Sequence, residues 1–83
     1  MEKEQFALRL AQLRQAKGVS ARDMSLSPGQ SAGYINNIEN GVSLPSMSMF
    51  FYICDYLGVS PAEFFTPELS DPVALQTLTG ELR

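Results

Sequence analysis

The sequence contains no histidine and a single cysteine, Cys54, among its 83 residues. One cysteine cannot close a disulfide within the chain, and it cannot build a zinc site without further ligands. The sequence also lacks paired carboxylates, a glycine-rich phosphate loop and a nucleophile beside a base, so no enzyme chemistry is supported. No apolar run approaches the roughly 20 residues that cross a bilayer. We therefore expect no catalytic activity, metal, cofactor, small-molecule ligand or membrane partner.

Basic residues are also scarce. Lysine and arginine number six against nine aspartates and glutamates, which gives a net charge of −3. Residues 1–41 carry a net charge of +1, whereas residues 42–83 carry −4. Because the local field steers a polyanion more than the total charge does, only the first half is suited to face nucleic acid, and its basic footprint is weak.

What remains is the composition of one small folded domain, with 45% hydrophobic and 18% charged residues. The first residues, MEKEQF, are polar and partly acidic, which is not the pattern of a signal peptide. A lone cysteine suits a reducing compartment. We therefore expect a cytoplasmic protein.

Helical spacing of apolar residues runs through the chain, and no strand-like alternation competes with it. The sequence predicts an all-α, compact bundle of five helices. Its helix signals are the apolar stripe of a first helix over 3–17 and serine caps at Ser20, Ser31, Ser46 and Ser60. The domain is expected to cover residues 1–69. Residues 70–83 form a C-terminal segment, a tail or a short extra helix that packs on the bundle or on a partner.

The stretch from Gly18 to Gly41 has the pattern of two short helices joined by a turn at Pro28-Gly29. In the second of these helices, Ile35 and Ile38 fall on one face. A helix, a tight turn and a second helix is the arrangement that presents a helix to a DNA major groove.

Residues 6–65 resemble the lambda-repressor-like helix-turn-helix domain of the Xre/Cro type. The resemblance is carried by Leu13-Arg14, Lys17-Gly18, Ser20, Gly29, Ser31, Tyr34-Ile35, Ile38-Glu39-Asn40-Gly41, Pro45-Ser46, Leu57-Gly58-Val59-Ser60 and Glu63. It implies a transcriptional regulator of bacterial or phage origin that binds double-stranded DNA with its third helix in the major groove, as a homodimer. The alternative is a protein-interaction module that keeps the fold but has little or no DNA affinity.

The resemblance also implies which residues contact DNA. Base reading falls to the positions of Ala32, Gly33 and Asn37, of which Asn37 can pair bidentately with adenine. Backbone amides near Gly41 are expected to hold phosphates, and the basic groups nearby are Lys17, Arg22 and Lys3 or Arg9. The full expected set is Ser20, Arg22, Ser31, Ala32, Gly33, Tyr34, Asn36, Asn37, Asn40, Gly41 and Ser43.

In this family Glu39 pairs with the arginine that matches Arg14. A half-buried pair of this kind fixes helix placement, and we prefer this structural role for Arg14 to the alternative of a DNA contact.

The fourth helix is apolar on two sides. Its core stripe is predicted to be Met47, Phe50, Ile53, Cys54 and Leu57. Met49, Tyr52 and Tyr56 fall opposite, where a surface helix is normally charged. Either the C-terminal segment covers this second face, or a second copy of the chain or another protein does. Cys54 lies on the core stripe, which favours an inert thiol over a redox sensor.

Overall fold

The computed structural model describes residues 1–66, which fold into five α-helices without a strand. The helices are α1 (Lys3–Lys17), α2 (Ala21–Leu26), α3 (Tyr34–Glu39), α4 (Met47–Leu57) and α5 (Pro61–Phe65). The predicted all-α bundle is therefore confirmed. The C-terminal segment 70–83 and its predicted short helix lie outside the described residues. Within residues 1–66 no helix has the length and apolar character needed to span a membrane.

Serine hydroxyls begin three of the helices, as the sequence predicts. Ser20 Oγ accepts the Asp23 amide at 3.0 Å, and Ser46 Oγ accepts the Met49 amide at 3.2 Å. At α5 the cap is reciprocal, because Ser60 and Glu63 each accept the other's backbone amide at 3.0 Å. These caps use neighbouring residues alone, and for that reason the local sequence reveals them.

Three phenylalanine rings form the centre of contact between α1, α4 and α5. The ring centroids of Phe6 and Phe64 lie 4.9 Å apart, and those of Phe50 and Phe64 lie 5.1 Å apart. Tilted and edge-on contacts at these distances are favourable for aromatic side chains. Among residues 1–66, the buried core cluster consists of Phe6, Leu10, Met24, Ile35, Ile38, Phe50, Ile53, Cys54, Leu57 and Phe64.

One residue of the predicted α4 stripe does not join this core. Met47 is 65% exposed, whereas Phe50, Ile53, Cys54 and Leu57 are buried as expected. Met47 is the first residue of α4. Because helical side chains lean toward the N-terminus, its side chain extends beyond the packed part of the helix.

Arg9, predicted from the sequence as one of the basic groups near DNA, is instead buried between α1 and α5. Its Nε donates to the Phe64 carbonyl at 2.6 Å and its Nη2 donates to the Glu63 carbonyl at 2.7 Å. Carbonyls in the last turn of a helix have no partner within that helix, and they favour a nearby cation. Arg9 therefore fastens the five-residue α5 to α1 and does not serve as a DNA contact.

We expect Arg9→Ala to lower the free energy of unfolding by about 2–3 kcal/mol, because it removes two charge-assisted hydrogen bonds and leaves the buried Phe64 carbonyl without its donor. Arg22→Ala is the matched control, since Arg22 is exposed, and it should change stability by less than about 0.5 kcal/mol. Urea denaturation followed by circular dichroism measures both. Equal stability of the two variants would contradict the anchoring role of Arg9.

Candidate nucleic-acid interface

Helix α3 has one buried face and one exposed face. Ile35 and Ile38 are buried in the core shared with α1 and α2, as predicted. The side chains of Asn36, Asn37 and Asn40 are exposed, and we call these three residues the asparagine surface. An asparagine amide carries both donors and an acceptor, so this surface can form hydrogen bonds with base edges or with phosphates.

The beginning of α3 differs from the sequence prediction, which placed the helix cap at Ser31. The N-cap residue is Gly33, which has no side chain with which to cap. Ser31 lies in the preceding turn, where its carbonyl accepts the Tyr34 amide at 3.1 Å. Ser31 is exposed and its hydroxyl has no hydrogen-bond partner within residues 1–66. The prediction was wrong because the cap comes from another helix.

That cap is Ser25 of α2, a residue that the sequence analysis did not identify. Its Oγ accepts the Ile35 amide at 2.9 Å and donates to the Ala21 carbonyl at 2.7 Å. Ile35 is the second residue of α3, and its amide is one of those an N-cap side chain usually receives. The available sequence signal was a serine directly after Met24, on the inward side of a short amphipathic helix.

The structure brings Arg14 and Glu39 together in a bidentate ion pair. Arg14 Nε lies 2.7 Å from Glu39 Oε2, and Nη2 lies 3.0 Å from Oε1. The remaining terminal nitrogen, Nη1, donates to the Val19 carbonyl at 2.8 Å. The hydrogen bonds that Arg14 donates to Glu39 raise the pKa of Arg14 above its ordinary value. With all three nitrogens engaged, Arg14 holds α1, the start of α2 and the end of α3 together.

The end of α3 is closed by its own backbone. Gly41 has φ +75°, in the left-handed region that favours glycine. Its amide donates to the Ile38 carbonyl at 3.0 Å, and the Val42 amide donates to the Asn37 carbonyl at 2.9 Å. This is the hydrogen-bond pattern of a Schellman motif. The amides of Gly41 and Val42 are therefore already used by the helix end, and a phosphate contact near Gly41 stays a prediction.

The other predicted contact residues lie in varied surroundings. Ser20 uses its oxygen to cap α2 but keeps a hydroxyl proton to donate. Tyr34 is half-buried, and burial raises the pKa of its phenol above the ordinary value. Ala32 is half-buried, whereas Gly33, Arg22 and Ser43 are exposed.

The predicted partner face of α4 makes contacts within the chain. The Tyr52 hydroxyl lies 2.7 Å from the Ser27 hydroxyl, next to the end of α2. Tyr56 packs against the core, and Lys17 Nζ lies 5.9 Å from the centroid of its ring. Met49 is half-buried. Tyr52 and Tyr56 thus brace α4 against the ends of α2 and α1, and a partner role for Met49, Tyr52 and Tyr56 stays a prediction.

Cys54 is buried in the core. Burial raises the pKa of its thiol, and the nearby Asp55 charge raises it further. A buried and protonated thiol is a poor nucleophile. Within residues 1–66, no three acidic or cysteine side chains lie close enough together to hold a metal ion.

An amphipathic α3, exposed on one face and joined to α2 by the turn at residues 27–33, defines a helix-turn-helix protein. The family model for the helix-turn-helix domain matches residues 5–64. The chain therefore belongs to the helix-turn-helix domain family, which supports DNA as a partner and a non-enzymatic role.

Two further comparisons bear on this assignment. The chain is similar to the crystal structure of the clp gene regulator ClgR from Corynebacterium glutamicum, with a TM-score of 0.71 and 29% identity. The similarity covers 96% of this chain and 84% of that chain. No curated protein sequence matches. The family model and this structural neighbour are consistent with the Xre/Cro-type domain predicted from the sequence.

We expect Glu39→Ala and Arg14→Ala each to lower the free energy of unfolding by about 2–3 kcal/mol, because each leaves a half-buried charge without its partner. The double variant should lose clearly less stability than the sum of the losses of the two single variants, because each single variant already breaks the same ion pair. Denaturant unfolding of the four proteins measures this coupling. Glu4→Ala, at an exposed carboxylate of α1, is the control. Additive losses would show that the pair contributes no coupling.

Proposed function

We propose that the protein is a sequence-specific transcriptional regulator that binds double-stranded DNA with α3 in the major groove. The observation that carries this proposal is the construction of α3. Its asparagine surface is exposed, while Ile35 and Ile38 hold the opposite face in the core. An apolar inner face and an amide-bearing outer face suit a helix that is fixed by its own domain and contacts bases.

Within this proposal, Asn37 is the main base-reading residue, and it pairs bidentately with adenine. Asn36 and Asn40, four residues apart, lie together on one flank of Asn37 and reach neighbouring bases or phosphates. Ala32 and Gly33 present little side chain, so they let the backbone before α3 approach the DNA closely. The donors to phosphate are the hydroxyls of Ser20, Ser31, Tyr34 and Ser43 and the guanidinium of Arg22.

The scarcity of cations supports a homodimer. Each phosphate that lysine or arginine neutralises releases counterions, and this release supplies much of the affinity for DNA. Arg9 and Arg14 donate to acceptors inside the protein, which leaves Lys3, Lys17 and Arg22 as the exposed cations of residues 1–66. One copy of the domain should therefore bind weakly. Two copies that read half-sites about 34 Å apart would combine their affinities.

We expect Asn37→Ala to lower the affinity for a selected DNA site by about 5- to 100-fold and to relax the preference at one base pair. Arg22→Ala should instead weaken binding to all sequences alike and reduce the slope of log affinity against log salt by about one. In vitro selection from random duplexes supplies the site, and fluorescence anisotropy over a salt series measures binding.

The matched control is Gln15→Ala, which removes an exposed amide from α1 and should leave binding unchanged. If selection enriches no sequence and the protein shows no salt-dependent binding to any duplex, the proposed function is wrong. If Asn37→Ala and Gln15→Ala bind the selected site equally well, α3 is not the base-reading element.

A specific observation favours a second candidate function, a protein-interaction module. Large apolar side chains of α4 and α5 are exposed, among them Met47 by 65%, Phe51 by 49% and Phe65 by 46%. Met47 and Phe51 are four residues apart on α4 and thus lie on one side of it. Exposed aromatic and methionine side chains are typical of protein contacts.

We expect the full chain to sediment as a dimer at micromolar concentration, and Phe51→Ser to raise the dimer dissociation constant by at least about 10-fold. Leu26→Ser is the matched control, because Leu26 on α2 is 45% exposed. Sedimentation velocity, without DNA and with the selected duplex, measures both. If Phe51→Ser still forms the dimer, the interface is expected on Met49, Tyr52 and Tyr56 instead. A monomer at all concentrations, on and off DNA, would contradict the homodimer.

A further inference from the structure

We propose that Ser25 is a positioning residue for α3: its hydroxyl replaces the missing side-chain cap at Gly33 and fixes the first turn of the helix for DNA reading. The inference rests on the proposed function in one respect, namely that α3 reads bases. The positioning itself is a property of the free protein.

The hydroxyl of Ser25 is placed so that both of its hydrogen-bonding roles are used. It donates to the Ala21 carbonyl at 2.7 Å, which orients a lone pair of Oγ toward the Ile35 amide at 2.9 Å. Ser25 is 0% exposed, so water cannot replace the hydroxyl as the acceptor. Alanine at this site would leave the Ile35 amide as a buried donor without an acceptor, an arrangement that proteins avoid.

The site also restricts the size of the side chain. Ser25 lies beside Met24 in the closely packed contact of α2 with α3, and both are buried. Threonine would add a methyl group to a position that has no exposed surface, which forces neighbours apart. Serine is therefore the residue that combines a hydroxyl with a small volume here.

This contact fixes one end of α3, and the ion pair fixes the other. Glu39, the last residue of α3, is held by Arg14 of α1, whereas Ile35, in the first turn, is held by Ser25 of α2. Because α3 contains six residues, freeing its first turn would move Asn36 and Asn37 directly. Ser25 therefore acts on DNA through the orientation of α3, without touching DNA itself.

The test compares Ser25→Ala with Ser46→Ala. The second variant also removes a serine cap, but it does so at α4, where Ser46 Oγ accepts the Met49 amide. Hydrogen exchange by NMR on the free proteins compares the amides of Ile35 and Asn37 with that of the core residue Ile53. We expect Ser25→Ala to accelerate exchange at Ile35 and Asn37 at least about 10-fold more than at Ile53. Ser46→Ala should show no such selective change.

The second measurement is the ratio of affinities for the selected DNA site and for an unrelated duplex. Ser25→Ala should reduce this ratio at least about 5-fold while changing the affinity for the unrelated duplex less than about twofold. Loss of stability alone cannot produce this pattern, provided that both variants are studied where they are fully folded. Ser25→Cys retains a weak acceptor of similar shape and should fall between wild type and Ser25→Ala.

The two proposals fail in different ways. If Ser25→Ala and Ser46→Ala give the same exchange pattern, Ser25 does not position α3, whatever the DNA result. If exchange at Ile35 rises selectively but the affinity ratio is unchanged, the link from Ser25 to base reading is wrong. If the wild type binds no DNA specifically, the proposed function falls, and hydrogen exchange still decides the positioning role. Should Ser25→Ala not fold, Ser25→Cys serves for both measurements.

Discussion

The rest of the structure depends on one constraint, which is the length of α3. A helix of six residues forms too few internal hydrogen bonds to offset the cost of starting it, so it cannot be stable in isolation. Contacts with α1 and α2 must therefore stabilise α3. Ile35 and Ile38 are buried along one face, the ion pair of Arg14 with Glu39 holds the last turn, and the Ser25 hydroxyl holds the first turn.

The same constraint explains how the chain uses its few cations. Arg9 stabilises the end of the five-residue α5, and Arg14 stabilises the end of α3. Each of these two short helices is thus held by an arginine from α1. Few cations remain to attract phosphates, which lowers the affinity for any DNA regardless of its sequence. If the domain binds DNA as proposed, a larger share of its binding energy has to come from neutral hydrogen bonds, and those that the asparagine surface makes with base edges would distinguish one base from another.

The sequence predicts well the parts of the fold that local chemistry decides. The serine caps of α2, α4 and α5 and the inward face of α3 follow from residues within one or two turns of each other. Ser25 and Arg9 were missed because their partners are 10 and 55 residues away. No pattern of neighbouring residues shows that a buried hydroxyl will accept a hydrogen bond from a backbone amide of another helix. The prediction that Ser31 caps α3 failed for the same reason, since the hydroxyl of Ser25 accepts the amide of the first turn.

The two flanks of α4 differ in their contacts, and this difference lets DNA binding and protein binding use separate surfaces. At 100° per residue, Tyr52 and Tyr56 lie on one flank of the buried stripe, and Met47 and Phe51 lie on the other. The tyrosine flank contacts Ser27 and Lys17 and so braces the helices that hold α3. The exposed flank is therefore where a second copy can bind without disturbing that bracing. The proposed dimerisation on Met47 and Phe51 is compatible with DNA binding through the asparagine surface, and it would supply the affinity that a cation-poor monomer lacks.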